Sequence, residues 1–361
     1  MTQPNLFLIV IAGGSGTRFW PKSTSKRPKQ LLAFGSSSQG IPASQGTLLA
    51  QTLARFDGWV PAGQKMILTT QSLEKAVLEE KLNAKILAEP QGRNTAPCIY
   101  WAARHVAEQD PSGVMMVMPS DHYMALPEKF TSVVKQAAQW AFEKDDLVTL
   151  GIQPSRPETG YGYLKMGKSL NDSSNDLTVR QIDAFVEKPN LEKANQFVQS
   201  GDYLWNGGMF LWRAEVILKA FDRFMPEMKE IWDRSEGRID VAYPQMTATS
   251  IDYGIMEKAK NVVTFPLECG WDDLGSWTSL ENLAETLGAQ RGQNVITNGE
   301  LLAIESARNI VDAPSRLVAL LGVNDLIVVE QGDAILVAHK DRAQDIRKIV
   351  EEVKKTRPEL V

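Results

Sequence analysis

Gly13, Gly14 and Gly16 follow the apolar run LFLIVIA, and Arg18, Lys22, Lys26, Arg27 and Lys29 follow the glycines within one short span. Residues without a Cβ let a turn take positive φ and bring backbone N–H groups close to an anion. The arginines add forked donors and the lysines point charges, a combination suited to phosphate. A glycine turn after a strand also serves as a plain strand-to-helix connection, so the turn alone does not decide the matter. GGSGTR lacks the third glycine of a dinucleotide fingerprint, and no GxxxxGKS or GxxxxGKT pattern follows the strand, which disfavours NAD binding and a P-loop.

Acids suited to a phosphate site recur further along. VMMVMPSDH places Asp121 just past an apolar strand, and CGWDDLGSW places Asp272 and Asp273 between a tryptophan and a turn glycine. Mg²⁺ is commonly held by one or two carboxylates together with phosphate oxygens, so two such acids suit a metal-assisted phosphate site. Each acid taken singly reads equally well as a helix cap or turn residue. FVEKP offers Glu187 to accept sugar hydroxyls and Lys188 to bind phosphate, on opposite sides of a pleat. TGYGY and WNGGMF, with Gly160, Gly162, Asn206, Gly207 and Gly208, read as walls for close backbone approach, while each glycine pair could instead mark a hairpin or a bulge.

Other chemistries are disfavoured. His105, His122 and His339 stand near no GxSxG and no second histidine, so catalysis is not expected to rest on histidine. Cys98 and Cys269 show no CxxC or Cys/His spacing and are expected as packed thiols in a reducing compartment. Net charge is −5, which argues against a nucleic-acid surface. The run Leu6 to Ala12 is too short to span a bilayer and follows no basic leader, so no membrane association is expected and the cytoplasm is the expected compartment.

The elements that must position these residues follow from periodicity. At 361 residues and 43% hydrophobic content the chain can bury a large core and more than one domain. Short β segments (LFLIVIA, KMILTT, KILAEP, VMMVMPSD, LVTLGI) alternate with helical stretches near Thr47–Phe56, Leu73–Leu82, Thr95–Glu108 and Pro127–Lys144. Such alternation predicts a parallel sheet with helices on both faces and ligands at the strand C-terminal ends. From about Gly160 the pattern becomes hairpin-like, with YGYLKMG, the polar stretch LNDSSND and VRQIDAFVEKP, and the sheet is expected to become mixed. Helices follow near Leu191–Ser200, Glu215–Phe224 and Met225–Arg234. After Asn294 come six short β segments, NVITN, LLAIES, NIVDA, LVALLG, DLIVVEQ and AILVAH, which predict a small coiled β domain before a helix at Asp341–Lys355.

GGSGTRFWPKS with RPKQLL, EPQGRNTAP, MPSDH, TGYGY, FVEKP, WNGGMF, IDYGIMEK and GWDDLGSW occur in an order that resembles the sugar-nucleotide pyrophosphorylases over nearly the whole chain. EPQGRNTAP and WNGGMF resemble the GDP-mannose-forming branch. The resemblance implies an α/β fold, a Rossmann-like α/β/α nucleotidyltransferase layer over residues 1–288, with a small left-handed β-helix-like domain over 289–361. It assigns Arg18 and Lys29 to the triphosphate, and Gly13, Gly14, Gly16 and Thr17 to the nucleotide. Gly92, Asn94, Thr95 and Ala96 fall near guanine and ribose, and Gly162, Glu187 and Asn206 near the sugar. Lys188 matches the sugar-phosphate contact. Asp121 and Asp273 match the Mg²⁺-binding acids, Asp273 rather than Asp272 because it holds the W-x-D-x-G position. The implied substrates are GTP and mannose 1-phosphate. The chain ends short of the isomerase domain that some members carry, so a monofunctional transferase is expected, possible as a homodimer through the C-terminal region.

Overall fold

The computed structural model describes residues 3–14, 16–34, 46–171 and 178–361. The elements begin β1 (Leu6–Ile11), α1 (Leu48–Ala54), β2 (Lys65–Thr70), α2 (Gln71–Glu79), β3 (Lys85–Glu89), α3 (Thr95–Gln109) and β4 (Val114–Pro119). The two-residue β5 (Tyr123–Met124), α4 (Pro127–Glu143), β6 (Leu147–Ile152), β7 (Gly162–Ser169), β8 (Arg180–Glu187), α5 (Leu191–Ser200) and β9 (Tyr203–Arg213) follow. Next come α6 (Ala214–Phe224), α7 (Pro226–Arg234), α8 (Ile239–Ala242), β10 (Val262–Leu267), the two-residue β11 (Trp271–Asp272) and α9 (Ser279–Thr286). The chain closes with β12 (Val295–Ile304), β13 (Ile310–Leu321), β14 (Leu326–Gln331), β15 (Ala334–His339) and α10 (Ile346–Thr356). Residues 172–176 of the polar stretch LNDSSND, and Leu177 after it, lie outside the described residues.

Among the described residues, nine strands form a mixed sheet in the order β3-β2-β1-β4-β9-β6-β10-β8-β7. The alternation of a strand decides the layers. Phe7 and Ile9 of β1 face one side and join residues of α3, α6 and α7, whereas Leu8 and Val10 face the other and join α1 and α4. The long β9 pairs with β4 through its C-terminal half and with β7 through its N-terminal half, keeping β6 on its other edge. The ladder β9, β6, β10, β8, β7 therefore returns to β9. WNGGMF lies inside β9, where the register with β6 shifts between Thr149 and Gly151; the glycine pair marks a bulge there, and Gly207 and Gly208 also form part of a cavity wall.

The C-terminal strands form a second sheet in the order β12-β13-β14-β15, parallel except for the final pair. The six expected β segments are four strands, because β12 and β13 bend where breaks were expected. At the bend Gly299 has φ +88°, and a Cβ there would lie 1.9 Å from the Ala313 carbonyl oxygen, a position only glycine fills. The expected final helix starts late: Lys340–Asp345 is a 3₁₀ turn that leads into α10. Phe19, Trp20, Phe34 and Trp277 bury against Val295, Ile310, Ile327, Ile346 and Val350 in one cluster, so the β-helix-like domain is seated directly on the glycine-turn region.

Candidate active site

A two-strand ladder brings the acids together. Asp121 directly precedes His122 and β5, and Asp273 directly follows β11; β5 and β11 pair Tyr123 with Asp272 and Met124 with Trp271. Asp272 turns inward: its Oδ1 accepts the Leu274 N–H at 2.7 Å, and burial followed by the adjacent Asp273 charge pushes its carboxyl up to about 6. Asp273 faces the cavities, with Oδ1 accepting from the Tyr161 hydroxyl at 2.5 Å and from the Gly275 N–H at 3.0 Å. Burial by itself raises the Asp121 carboxyl, but the neighbouring Lys29 and His122 hold it below its ordinary value.

Lys29 braces this pair. Its Nζ lies 2.7 Å from Asp121 Oδ2 and donates to the carbonyls of Asp273 at 2.5 Å and Leu274 at 3.2 Å. An ammonium has three donors, and these partners use all three. The segment is locked to the glycine turn by Gln30, whose Nε2 donates to the carbonyls of Ala12 and Gly14, both at 2.9 Å. Gly16 has φ +24°, and a Cβ there would sit 2.8 Å from Lys29 Cβ; the glycine permits that contact. His122 accepts from Trp271 Nε1 at 3.1 Å through Nδ1, and burial lowers it to about 4, so it is neutral near pH 7.

Two cavities meet at Asp121, His122 and Asp273, which line both. The larger, about 510 Å³, runs from Gly13, Gly14, Gly92, Asn94 and Thr95 at one end to Gly162, Glu187, Lys188 and Asn206 at the other. Asn94 caps α3 by accepting the Thr95 N–H, and Thr95 Oγ1 accepts the Ile251 N–H at 2.8 Å. Asn206 Nδ2 donates to Asp252 Oδ1 at 2.7 Å, and Lys188 pairs with Glu187 Oε1 at 3.0 Å while remaining mostly exposed. The smaller cavity, about 410 Å³, is lined by Gly16, Thr17, Arg18 and Lys29 together with Arg347 of α10.

Most of the residues expected from sequence line these two cavities; Ala96 and Lys22 do not. Ala96 is fully buried, donates its N–H to the Thr249 carbonyl and lines neither cavity. Lys22 of the basic cluster points to the C-terminal sheet instead: its Nζ meets Asp312 Oδ2 of β13 at 2.5 Å. Glu89, Tyr161 and Asp252, which stand inside motifs read from the sequence but receive no individual role there, also line the larger cavity, and Arg347, unmarked in the sequence, lines the smaller one. Glu89 lines the larger cavity, is nearly fully buried and accepts from the Tyr243 hydroxyl; burial, only partly offset by that hydrogen bond, pushes its carboxyl up to about 7. Its position at the head of EPQGRNTAP, ending a strand, was the available signal. For Arg347 there was none, because more than three hundred residues separate it from the glycine turn.

A divalent cation fits this donor set. Two carboxylates from separate elements converge, and Mg²⁺ takes one or two carboxylates with phosphate and water oxygens completing its shell. Among the described residues no cluster of three or more His, Cys, Asp or Glu could hold a metal without such help. No helix of the described residues is long and apolar enough to cross a membrane.

The nucleotidyl transferase family model matches residues 8–290, and that of the MannoseP isomerase/GMP-like beta-helix domain matches residues 299–353. The mannose-1-phosphate guanylyltransferase of Escherichia coli strain K12 is 35% identical over 373 residues, covering 98% of this chain and 74% of that protein. The mannose-1-phosphate guanylyltransferase ManC of Salmonella typhimurium strain LT2 is also 35% identical, over 98% of this chain and 74% of its own. A solved structure described as mannose-1-phosphate geranyltransferase from Thermus thermophilus aligns with a TM-score of 0.86 at 31% identity, covering 97% of this chain and 99% of that one.

Proposed function

Because the chain belongs to the nucleotidyl transferase family, in the company of the mannose-1-phosphate guanylyltransferases, we propose that it joins GTP and α-D-mannose 1-phosphate into GDP-mannose and pyrophosphate. The observation that carries this reading is the junction of two cavities at Asp121 and Asp273. A phosphate oxygen of the sugar phosphate attacks the α-phosphorus of GTP in line, and the α–β bridging P–O bond breaks with its electron pair leaving on pyrophosphate. A phosphate monoester is ionised near neutral pH, so the nucleophile needs no general base, and the protein's task is positioning and charge stabilisation.

The roles follow from placement. Asp121 and Asp273 would hold Mg²⁺, which when bound neutralises charge on the phosphate oxygens and on the leaving group. Gly13, Gly14, Gly16 and Thr17 present the glycine turn to the nucleotide, and Arg18 supplies a guanidinium free of protein partners among the described residues. Gly92, Asn94 and Thr95 flank the base and ribose. Glu89 offers a carboxylate to the N1–H and N2–H donors of guanine, a pairing that adenine cannot make. Gly162, Glu187 and Asn206 surround the sugar, and Lys188, exposed beside Glu187, is free to swing to its phosphate.

We divide the chain at 288/289 into a catalytic and a β-helix-like domain. The free, buried Cys98 and Cys269 suit a cytoplasmic enzyme. Leu302 and Ile304 of β12 stand exposed on one face with Leu317 and Leu321 of β13, an apolar strip that supports a homodimer through this domain. The experiment that tests the reaction is pyrophosphate release with Mg²⁺ across nucleoside triphosphates and sugar 1-phosphates. Release confined to GTP with mannose 1-phosphate is expected; release with another pair would move the specificity, and none with any pair would overturn transferase activity.

A further inference from the structure

We propose that Arg347, on the terminal helix of the β-helix-like domain, is a pyrophosphate-binding residue that completes the leaving-group site from outside the catalytic domain. The inference rests on the nucleotidyl-transfer reading above. In-line displacement puts the leaving group on the side of the α-phosphorus opposite the attacking oxygen. Lys188 places the sugar phosphate in the larger cavity, so the β- and γ-phosphates extend past Asp121 and Asp273 into the smaller one, which Arg18, Lys29 and Arg347 line.

Beyond the backbone N–H groups of the glycine turn, that cavity is short of available side-chain donors without Arg347. Lys29 has given its three to Asp121 and to the carbonyls of Asp273 and Leu274. Lys22 is held by Asp312, and the Arg27 Nε donates to the Leu31 carbonyl. Arg18 and Arg347 are the guanidinium groups left on the cavity wall, both exposed, and the side chain of neither makes a hydrogen bond or ion pair among the described residues.

Arg347 also stands where its own helix does not favour it. It lies in the first turn of α10, a turn without an acidic residue, and a cation there faces the positive end of the helix macrodipole. The nearby Asp345 is engaged by Arg342 and Lys348. The placement is nevertheless firm, because Ile346 and Val350 on either side are buried in the cluster that contains Phe19, and α10 packs on the turn Thr17–Phe19. An unpartnered guanidinium, anchored at its base and aimed into a cavity beside a second one, matches the bidentate recognition of phosphate oxygens.

The test uses the full chain with Mg²⁺ in both reaction directions, comparing wild type with Arg347→Gln and Arg347→Lys. Hydrogen bonds to charged groups contribute enough that Arg347→Gln is expected to raise the KM for pyrophosphate, and that for GTP, by about 10- to 100-fold. GDP-mannose and mannose 1-phosphate lack the β,γ-pyrophosphoryl group of GTP, so their KM values stay within about two-fold of wild type. Arg347→Lys keeps the charge without the fork and falls between the two. An unchanged pyrophosphate KM overturns the proposal, as does a KM for GDP-mannose that rises in step with it, since that would report a displaced glycine turn. Failure of the underlying reading is separately visible: wild type would then show no pyrophosphate-dependent consumption of GDP-mannose.

Discussion

At the residue scale, the site divides its carboxylates by environment. Asp121 and Asp273 face the cavity junction with their charge supported by Lys29, Tyr161 and a backbone N–H. Replacing either by asparagine keeps the shape and removes the charge, and Mg²⁺-dependent turnover is expected to fall by roughly 10²- to 10³-fold or more, comparable with losing a principal charge stabiliser. Thermal melting that stays near wild type would confirm an intact fold, and near-normal turnover would refute the metal assignment. Glu89 has the opposite character, raised to about 7 by burial. The proposed pairing with guanine uses its ionised form, so the KM for GTP is expected to rise as pH falls from 8 to 6, and Glu89→Gln to remove that dependence; steady-state kinetics at fixed saturating sugar phosphate reads both. The same titration acts on unliganded stability with reversed sign. A carboxyl raised in the folded state contributes stability that is fully present below its ordinary value near 4.5 and is lost as pH rises through about 7. Recognition and stability therefore pull Glu89 in opposite directions across neutral pH.

At the element scale, two strands of two residues each do the positioning, for β5 and β11 are what bring the segments around Asp121 and Asp273 together. Such short strands carry no periodicity, and the sequence placed these acids through motif spacing alone. The long parallel strands were legible because buried runs such as VMMVMP and LVTLGI lie between clear turn signals. The C-terminal coil was legible as β but not in its joints. Gly299 reads in sequence as a turn between two strands, whereas pairing with β13 continues across it after a register shift. Gly299→Ala would drive a Cβ into the Ala313 carbonyl, and overpacking of this kind is expected to cost about 1–3 kcal/mol beyond the backbone strain. Gly322 has φ +66° but open space around its would-be Cβ, so Gly322→Ala isolates the backbone cost alone. Thermal denaturation of both variants should show the larger drop for Gly299→Ala; equal drops would mean that the bend has room to relax.

At the scale of the whole molecule, the two domains share both a core and a buried charge pair. Lys22, just past the glycine turn, meets Asp312 of β13, where Thr297 Oγ1 also donates to the same carboxylate oxygen at 2.6 Å. Asp312 is fully buried. Removing one partner of a buried pair leaves an uncompensated charge, so Lys22→Met is expected to destabilise the protein by about 3–5 kcal/mol. Lys22→Met with Asp312→Asn should recover much of that loss in denaturant unfolding. This pair explains why sequence reading misjudged Lys22: a lysine between a glycine turn and a PKQ segment looks like part of the anion site, and only the docked β13 gives it another partner. Arg347 and Ala96 follow the same logic in opposite directions, one brought to the site by domain docking and the other withdrawn from it by the core.

The edge-on aromatic stack at the cavity wall has an optical consequence. Trp271 lies in a T-shaped contact with His122 at 5.2 Å and near-perpendicular to Tyr161 at 5.4 Å, with Trp205 at 6.2 Å. Trp271 lines the larger cavity, so whatever fills that space changes the polarity around an indole already coupled to its neighbours. Filling that cavity is therefore expected to shift the emission of Trp271, read against the other eight tryptophans by comparison with Trp271→Phe.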